Sequence, residues 1–266
     1  MKISETYRLK CFDPVSVMNS GQCFRWHELC NGRVGVISSG KYIEMSKERD
    51  GVSFTFNEAD RAYWSAYFDL DFDYERIEKL IEGSGDEHLK EAFSLGSGVR
   101  ILRQDLWETI VSFMISQNNN IGRIRNSIEA ICERAGIEVE GGYAFPGPFD
   151  LDVSVFDDKT LGLGYRAPYL KEIFSFAKEN PDWLDDLSKM DYEKAMKSLL
   201  ERTGIGPKVA NCICLFGLHH VDAFPVDTHV KQLLSKYYQN GFDFEYYKGV
   251  AGIIQQYLFC YELKSR

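Results

Sequence analysis

The chain has 266 residues, 44% of them apolar and 27% charged, with a formal net charge of −9. That length buries a core in one large or two smaller domains, and the balance is that of a globular protein rather than a disordered or fibrous chain. The acidic total counts against a nucleic-acid partner only until the charge is located. Residues 58–91 hold eleven acids and four bases, whereas residues 97–128 carry Arg100, Arg103, Arg123 and Arg125 against Asp105 and Glu108.

The N-terminus has no apolar run of signal-peptide length, and no stretch is long enough to span a bilayer. A cytoplasmic setting is the expectation, nucleoid-associated in a prokaryote, with a nucleus as the alternative. Seven scattered cysteines, odd in number and without a CxxC pair, argue against a disulfide framework and against a zinc or iron–sulfur site.

In chain order, Arg33–Ser38, Lys41–Lys47 and Val52–Phe56 are short, partly alternating segments. Asn31-Gly32, Ser39-Gly40 and Asp50-Gly51 break them as hairpin turns, which predicts a small antiparallel sheet over roughly 20–57. From Glu58 the period becomes helical, with Glu58–Leu70 and Tyr74–Glu82. The Gly96-Ser97-Gly98 break is the expected boundary between domains at 1–97 and 98–266. Beyond it the pattern predicts helices over Asp105–Ser116, Ile121–Arg134, Ala167–Glu179, Tyr192–Glu201, Lys208–Leu218, Asp227–Tyr238 and Phe244–Tyr261. A loop is expected at Gly141–Asp150. The class is α+β, an N-terminal antiparallel sheet packed on a mostly helical body.

The segment Tyr192 to Tyr238 is the informative one. Two helices flank Gly204-Ile205-Gly206-Pro207-Lys208, where the glycines allow a sharp turn and Pro207 suits a first helical turn. A hairpin of this kind, at about 192–218, presents unpaired N–H groups to an anion, although an ordinary helical hairpin has the same look. Lys208 sits in that first turn, where the macrodipole disfavours a positive charge and so favours a neutral, nucleophilic amine. Asp227, after Phe224-Pro225-Val226 and before a helix, is an N-cap by sequence and is also placed to support amine chemistry.

These two segments together resemble the helix-hairpin-helix, Gly/Pro-rich, Asp-terminated glycosylase superfamily, and within it the 8-oxoguanine DNA glycosylase/AP lyases first described in eukaryotes. Gly21-Gln22-Cys23-Phe24-Arg25-Trp26, Gln117-Asn118-Asn119-Asn120-Ile121-Gly122-Arg123-Ile124, Leu161-Gly162-Leu163-Gly164-Tyr165-Arg166-Ala167, and Ala251-Gly252 with Gln255 and Leu258-Phe259 extend the likeness across the chain in the family's order. The resemblance implies a helix-hairpin-helix glycosylase domain and, as partner, double-stranded DNA containing 8-oxoguanine. It implies base extrusion, attack of Lys208 at C1′, a Schiff base and β-elimination, with Asp227 stabilising positive charge.

By the same resemblance Cys212 and Phe259 stack on the base with Phe113 beside them. Gln255 meets the Watson–Crick edge, and the carbonyl of Gly21 accepts the N7–H that guanine lacks. Asn118 fills the gap in the duplex beside Asn119, Arg123 and Arg166 read the estranged cytosine, and Tyr165 is a wedge. Gly204, Gly206 and His229 contact phosphate. No organic cofactor and no catalytic metal are implied; a monovalent or calcium ion on the carbonyls near Gly204–Gly206 is allowed by family analogy. The chain is expected to act as a monomer.

Four positions depart from the family: Cys23 for serine, Pro207 for a threonine-like residue, Pro168 for a basic residue and Gln117 for a small one. The last two border the opposite-base readers, so a weaker preference for cytosine is expected. Two readings compete with this one: a glycosylase of the same fold for alkylated purines or oxidised pyrimidines, and a non-catalytic DNA-binding module.

Overall fold

The computed structural model describes residues 1–264. Five strands form one antiparallel sheet in the order β1-β5-β4-β3-β2, with β1 Lys2–Tyr7, β2 Trp26–Glu28, β3 Val34–Ser38, β4 Lys41–Glu48 and β5 Gly51–Asn57. Alternation decides its inner face: Val52, Phe54 and Phe56 of β5 are buried while their neighbours are not. Ser39 and Gly40 both take positive φ in the two-residue turn between β3 and β4, matching the twist of a tight hairpin.

Strand β1 is outside the expected sheet. It pairs along its whole length with β5, Ile3 opposite Phe56, and its alternation of exposed and half-buried residues leaves little hydrophobic signal. Aromatic side chains of the sheet meet helices α1 (Pro14–Met18) and α2 (Arg61–Tyr67) in one core that holds Phe12, Trp26, Phe54, Trp64, Tyr67 and Phe68. Burying each such ring contributes about 1.5–3 kcal/mol. Trp26 keeps its one polar atom satisfied by donating Nε1–H to Tyr67 Oη at 3.0 Å.

Most of the predicted helices form within a few residues of their expected limits. They are α3 Glu75–Gly83, α5 Leu106–Ser116, α6 Ile121–Ala135, α7 Ala167–Glu179, α9 Tyr192–Leu200, α10 Pro207–Phe216 and α11 Thr228–Tyr237, with α4 Glu87–Gly96 and α8 Trp183–Ser188 as additions. The last helix, α12, begins at Ala251 rather than Phe244. Residues 244–250 form turns instead, because Gly249 takes φ +83°, a conformation that no α-helix accepts. The loop expected from Gly141 begins with a short hairpin, Glu138–Val139 against Gly142–Tyr143, lying against Ile37 of β3.

The helical body has its own core, and α3 and α4 contribute Ile77, Ile81, Leu89 and Ala92 to it although they precede the Gly96-Ser97-Gly98 break. Helix α4 packs against α12 and α3 against α4, so the end of the acidic stretch, residues 87–91, lies on the helix that meets the C-terminal one. Among the described residues no helix is long and apolar enough to cross a membrane.

Candidate active site

The segment after α1 carries Gly21 into the helical body, and its neighbours explain how it is held. Gln22, fully buried, donates to the Arg100 carbonyl at 2.8 Å and accepts from Leu102 N–H at 3.0 Å. Phe24 meets Phe113 of α5 edge-on. Arg25, 1% exposed, donates Nε–H to Glu129 of α6 at 3.1 Å and a second N–H to the Tyr143 carbonyl. Gln22, Phe24 and Arg25 therefore pin this strap at three separate places, and Gly21 is left against α12.

Gly21 itself has φ +77°, and a Cβ there would stand 3.2 Å from Cε1 of Phe259. The position thus combines a left-handed backbone with close approach, both of which favour glycine. Its carbonyl accepts no hydrogen bond from another described residue.

A cleft of about 40 Å³ opens beside this contact, lined by Gly21, Phe113, Lys208, Cys212, Gln255 and Phe259 together with Phe216, Pro225, Asp227 and Gln256. The 3.6-residue period of α10 puts Lys208, Cys212 and Phe216 on one face. Lys208 Nζ lies 5.4 Å from the centre of the Phe113 ring, and Phe113 stacks on Phe216 at 5.4 Å. Burial pushes the Cys212 thiol up; the neighbouring Lys208 opposes that shift and Asp227 adds to it. Both charged groups are thus close enough to act on one sulfur.

Gly206 precedes helix α10 as its N-cap and offers no side-chain cap, so the first N–H groups of the helix are free for an anion. Ile205 is buried and anchors the turn, and Gly206 has open space around it. Asp227 caps α11: its Oδ1 accepts the Val230 N–H at 2.8 Å, which leaves the second oxygen for other work. Two residues along, His229 is half-buried and its Nδ1 has no partner among the described residues.

On the rim stands a second group of residues. The three asparagines between α5 and α6 divide their tasks. Asn119 donates to the Ile115 carbonyl at 3.2 Å and accepts from Asn120 N–H, closing the turn. Asn120 caps α6 by accepting the Arg123 N–H, and Asn118 is exposed with φ +47°.

Tyr165 is half exposed, donates to the Gln117 carbonyl at 3.1 Å and accepts from Asn118 Nδ2 at 3.3 Å. Arg166 is 7% exposed: its guanidinium donates to the carbonyls of Gln117, Asn118 and Leu163. The side chain of Gln117 reaches across to the Gly204 carbonyl of the hairpin at 2.9 Å. Arg123 is exposed and has no carboxylate partner among the described residues.

Sequence reasoning had not singled out Phe216, Pro225 and Gln256. Phe216 was accessible from its i+4 spacing to Cys212. Pro225 enters through its carbonyl, which accepts from Gln255, and Gln256 carried no signal beyond its place next to Gln255. A larger open groove of about 830 Å³ lies between the sheet and α4 and shares no residue with the cleft; four basic and four acidic side chains line it, so it has no net field for either charge. No cluster of three or more metal-ligating side chains occurs among the described residues.

Comparison with known proteins places this geometry. Residues 6–110 match the family model described as 8-oxoguanine DNA glycosylase, N-terminal domain. The chain is 31% identical over 258 residues to the N-glycosylase/DNA lyase of Saccharomyces cerevisiae, covering 84% of this chain and 68% of that one. It is 31% identical over 232 residues to a probable N-glycosylase/DNA lyase of Methanothermobacter thermautotrophicus, 74% and 73% of the two chains.

Among solved structures, the Clostridium acetobutylicum 8-oxoguanine glycosylase/lyase in complex with double-stranded DNA containing cytosine opposite 8-oxoguanine superposes with a TM-score of 0.88 at 33% identity, over 99% of this chain and 98% of that one. A sheet-first α+β fold, a helical hairpin ending in a lysine and likeness over nearly the whole length lead to one conclusion: the chain belongs to the 8-oxoguanine DNA glycosylase family of N-glycosylase/DNA lyases.

Proposed function

We propose that this chain removes 8-oxoguanine from duplex DNA with Lys208 as nucleophile, and then cuts the strand as an AP lyase. The observation that carries the reading is the cleft in which the Lys208 amine, the Asp227 carboxylate, the Gly21 carbonyl and the Phe259 ring converge.

The target base must leave the stack before any of these groups reach it. Phosphate would sit on the uncapped start of α10, with His229 and the Gly204–Gly206 turn beside it. The flipped purine would enter between Cys212 and Phe259, with Gln255 at its Watson–Crick edge. The free Gly21 carbonyl then faces N7: 8-oxoguanine donates N7–H to it, whereas guanine offers a lone pair and leaves two acceptors opposed. That contrast is worth about 1–3 kcal/mol.

The Lys208 amine attacks C1′ as the glycosidic bond breaks, and the base leaves with the bonding pair and takes up a proton. The free carboxylate oxygen of Asp227 stabilises the positive charge that develops on the sugar. Ring opening gives an imine between Lys208 and C1′, and loss of a C2′ proton then expels the 3′ phosphate. An amine nucleophile thus brings strand cleavage with it.

Asn118, Tyr165, Arg123 and Arg166 would occupy and read the gap. Arg123 is free to do so at once; Arg166 must first release the Gln117 and Asn118 carbonyls. This supports a weaker choice for cytosine.

Borohydride trapping on duplex containing 8-oxoguanine tests the assignment: wild type becomes covalently attached to DNA, and Lys208→Gln does not. Trapping by Lys208→Gln would move the nucleophile elsewhere. No trapping by wild type would favour a binding module, and trapping only on another lesion would favour a glycosylase of different specificity.

A further inference from the structure

We propose that Gln256 is a second base-recognition residue, its Oε1 accepting a hydrogen bond from the exocyclic amine of the extruded oxidised guanine. The inference rests on the excision reaction proposed above. It starts from a short chain of amides on α12. The Pro225 carbonyl only accepts, so the Gln255 amide must turn Nε2 toward it, and the two are 3.0 Å apart. That leaves Gln255 Oε1 as an acceptor, and Gln256 Nε2 donates to it at 3.2 Å. With its NH₂ committed, Gln256 holds Oε1 as the remaining group, and this atom is buried without a partner. The residue is 3% exposed and lines the same cleft as Gly21, Lys208 and Phe259.

A buried acceptor on a residue that lines the cleft needs a donor, and such groups in native structures are normally paired or have a functional reason not to be. The Watson–Crick edge of an oxidised guanine supplies donors in excess: N1–H and two amine hydrogens. Gln255 Oε1 already receives one bond from Gln256 and has capacity for one more. It suits N1–H, and Gln256 Oε1 is then the acceptor left for the amine. A purine with an acceptor at N1 would face two amide oxygens and be repelled, so the pair of glutamines distinguishes guanine-type from adenine-type lesions.

The test compares single-turnover excision of 8-oxoguanine and of 8-oxohypoxanthine, which lacks only the exocyclic amine, each opposite cytosine. Wild type should prefer 8-oxoguanine by about tenfold, the worth of one buried hydrogen bond. Gln256→Met should lose about that factor on 8-oxoguanine and stay within about twofold of wild type on 8-oxohypoxanthine. Gln256→Glu, which keeps an acceptor oxygen, should retain the preference and also guards against misfolding of the first variant.

Equal losses on both bases by Gln256→Met would make the residue structural and overturn the inference, as would an unchanged rate on 8-oxoguanine. Loss of the preference in Gln256→Glu would shift the role to the Nε2 bond and overturn it too. If wild type excised neither base, the excision reading itself would fall, and this inference with it.

Discussion

The cleft around Lys208 and the loop between α5 and α6, which under the proposed function would hold the lesion and face the opposite base, are built on contrary terms. In the cleft, polar groups stand without partners among the described residues: the Gly21 carbonyl, one Asp227 oxygen, Gln256 Oε1. In the loop they are saturated, the Gln117 carbonyl alone taking bonds from Tyr165 and twice from Arg166. Buried groups without partners are costly and are held only by rigid surroundings; saturated ones are stable and must be broken to act. The difference teaches that, if the proposed function holds, the groups for the chemistry are set up in advance, whereas Arg166 has to rearrange before it can read a partner strand.

The strongest way to break that comparison is Asp227→Asn. An asparagine keeps an acceptor for the Val230 N–H and caps as well as aspartate, so melting should barely move. Excision should fall about 10²- to 10³-fold through loss of the charge. A melting loss as large as the activity loss would reduce Asp227 to a cap.

Gly21→Ala comes next. Its φ of +77° costs an alanine about 1–2 kcal/mol, and the methyl would press on Phe259, so kcat/KM for 8-oxoguanine should drop roughly 5- to 30-fold. A wild-type rate would mean that the strap yields and the cleft is not preformed.

The loop is tested by Gln117→Ser, which removes the bond to the Gly204 carbonyl. Wild type should cleave opposite cytosine and adenine at similar rates, and the variant should favour cytosine by about 2- to 10-fold, one hydrogen bond's worth. A steep cytosine preference in wild type would show that Arg166 is released at no cost.

The smallest effect is on stability. Burial raises Glu108 from 4.5 to about 8, against the pull of Arg25. A carboxyl whose folded value is raised contributes stability that is fully present below its unfolded value and is lost as pH climbs toward 8. The slope is at most about 1.4 kcal/mol per pH unit. Melting scans between pH 5 and 8 should show this decline, and Glu108→Gln should flatten it. Asp69 runs the other way. Burial would raise it, but the hydrogen bonds and charges of His219 and Arg103 outweigh that and lower it, so its contribution disappears in acid.

Much of this was legible because local chemistry and tertiary role coincide. Asp227 reads as an N-cap and is one; Pro207 reads as the first residue of a helix and is one. Strand β1 was not legible, because its side chains alternate without strong hydrophobicity and its place comes from pairing with β5. Helix α12 was drawn too long because the aromatic residues from 242 to 247 mimic a helical face while Gly249 prevents it. Arg166 was expected to read the estranged cytosine, yet its guanidinium is turned inward by carbonyls from a loop nearly fifty residues away.

By itself the sequence determined the hairpin, the lysine that opens α10, the aspartate that caps α11 and the order of sheet before helices. These depend on dihedral preference, capping and periodicity, which act over a few residues. Only the tertiary structure decided that Gly21 meets Phe259 from the other end of the chain, that Gln256 ends with an oxygen unpaired, and that Arg166 is held back. Those are matters of which distant groups compete for the same hydrogen bond, and no local pattern records the outcome of that competition.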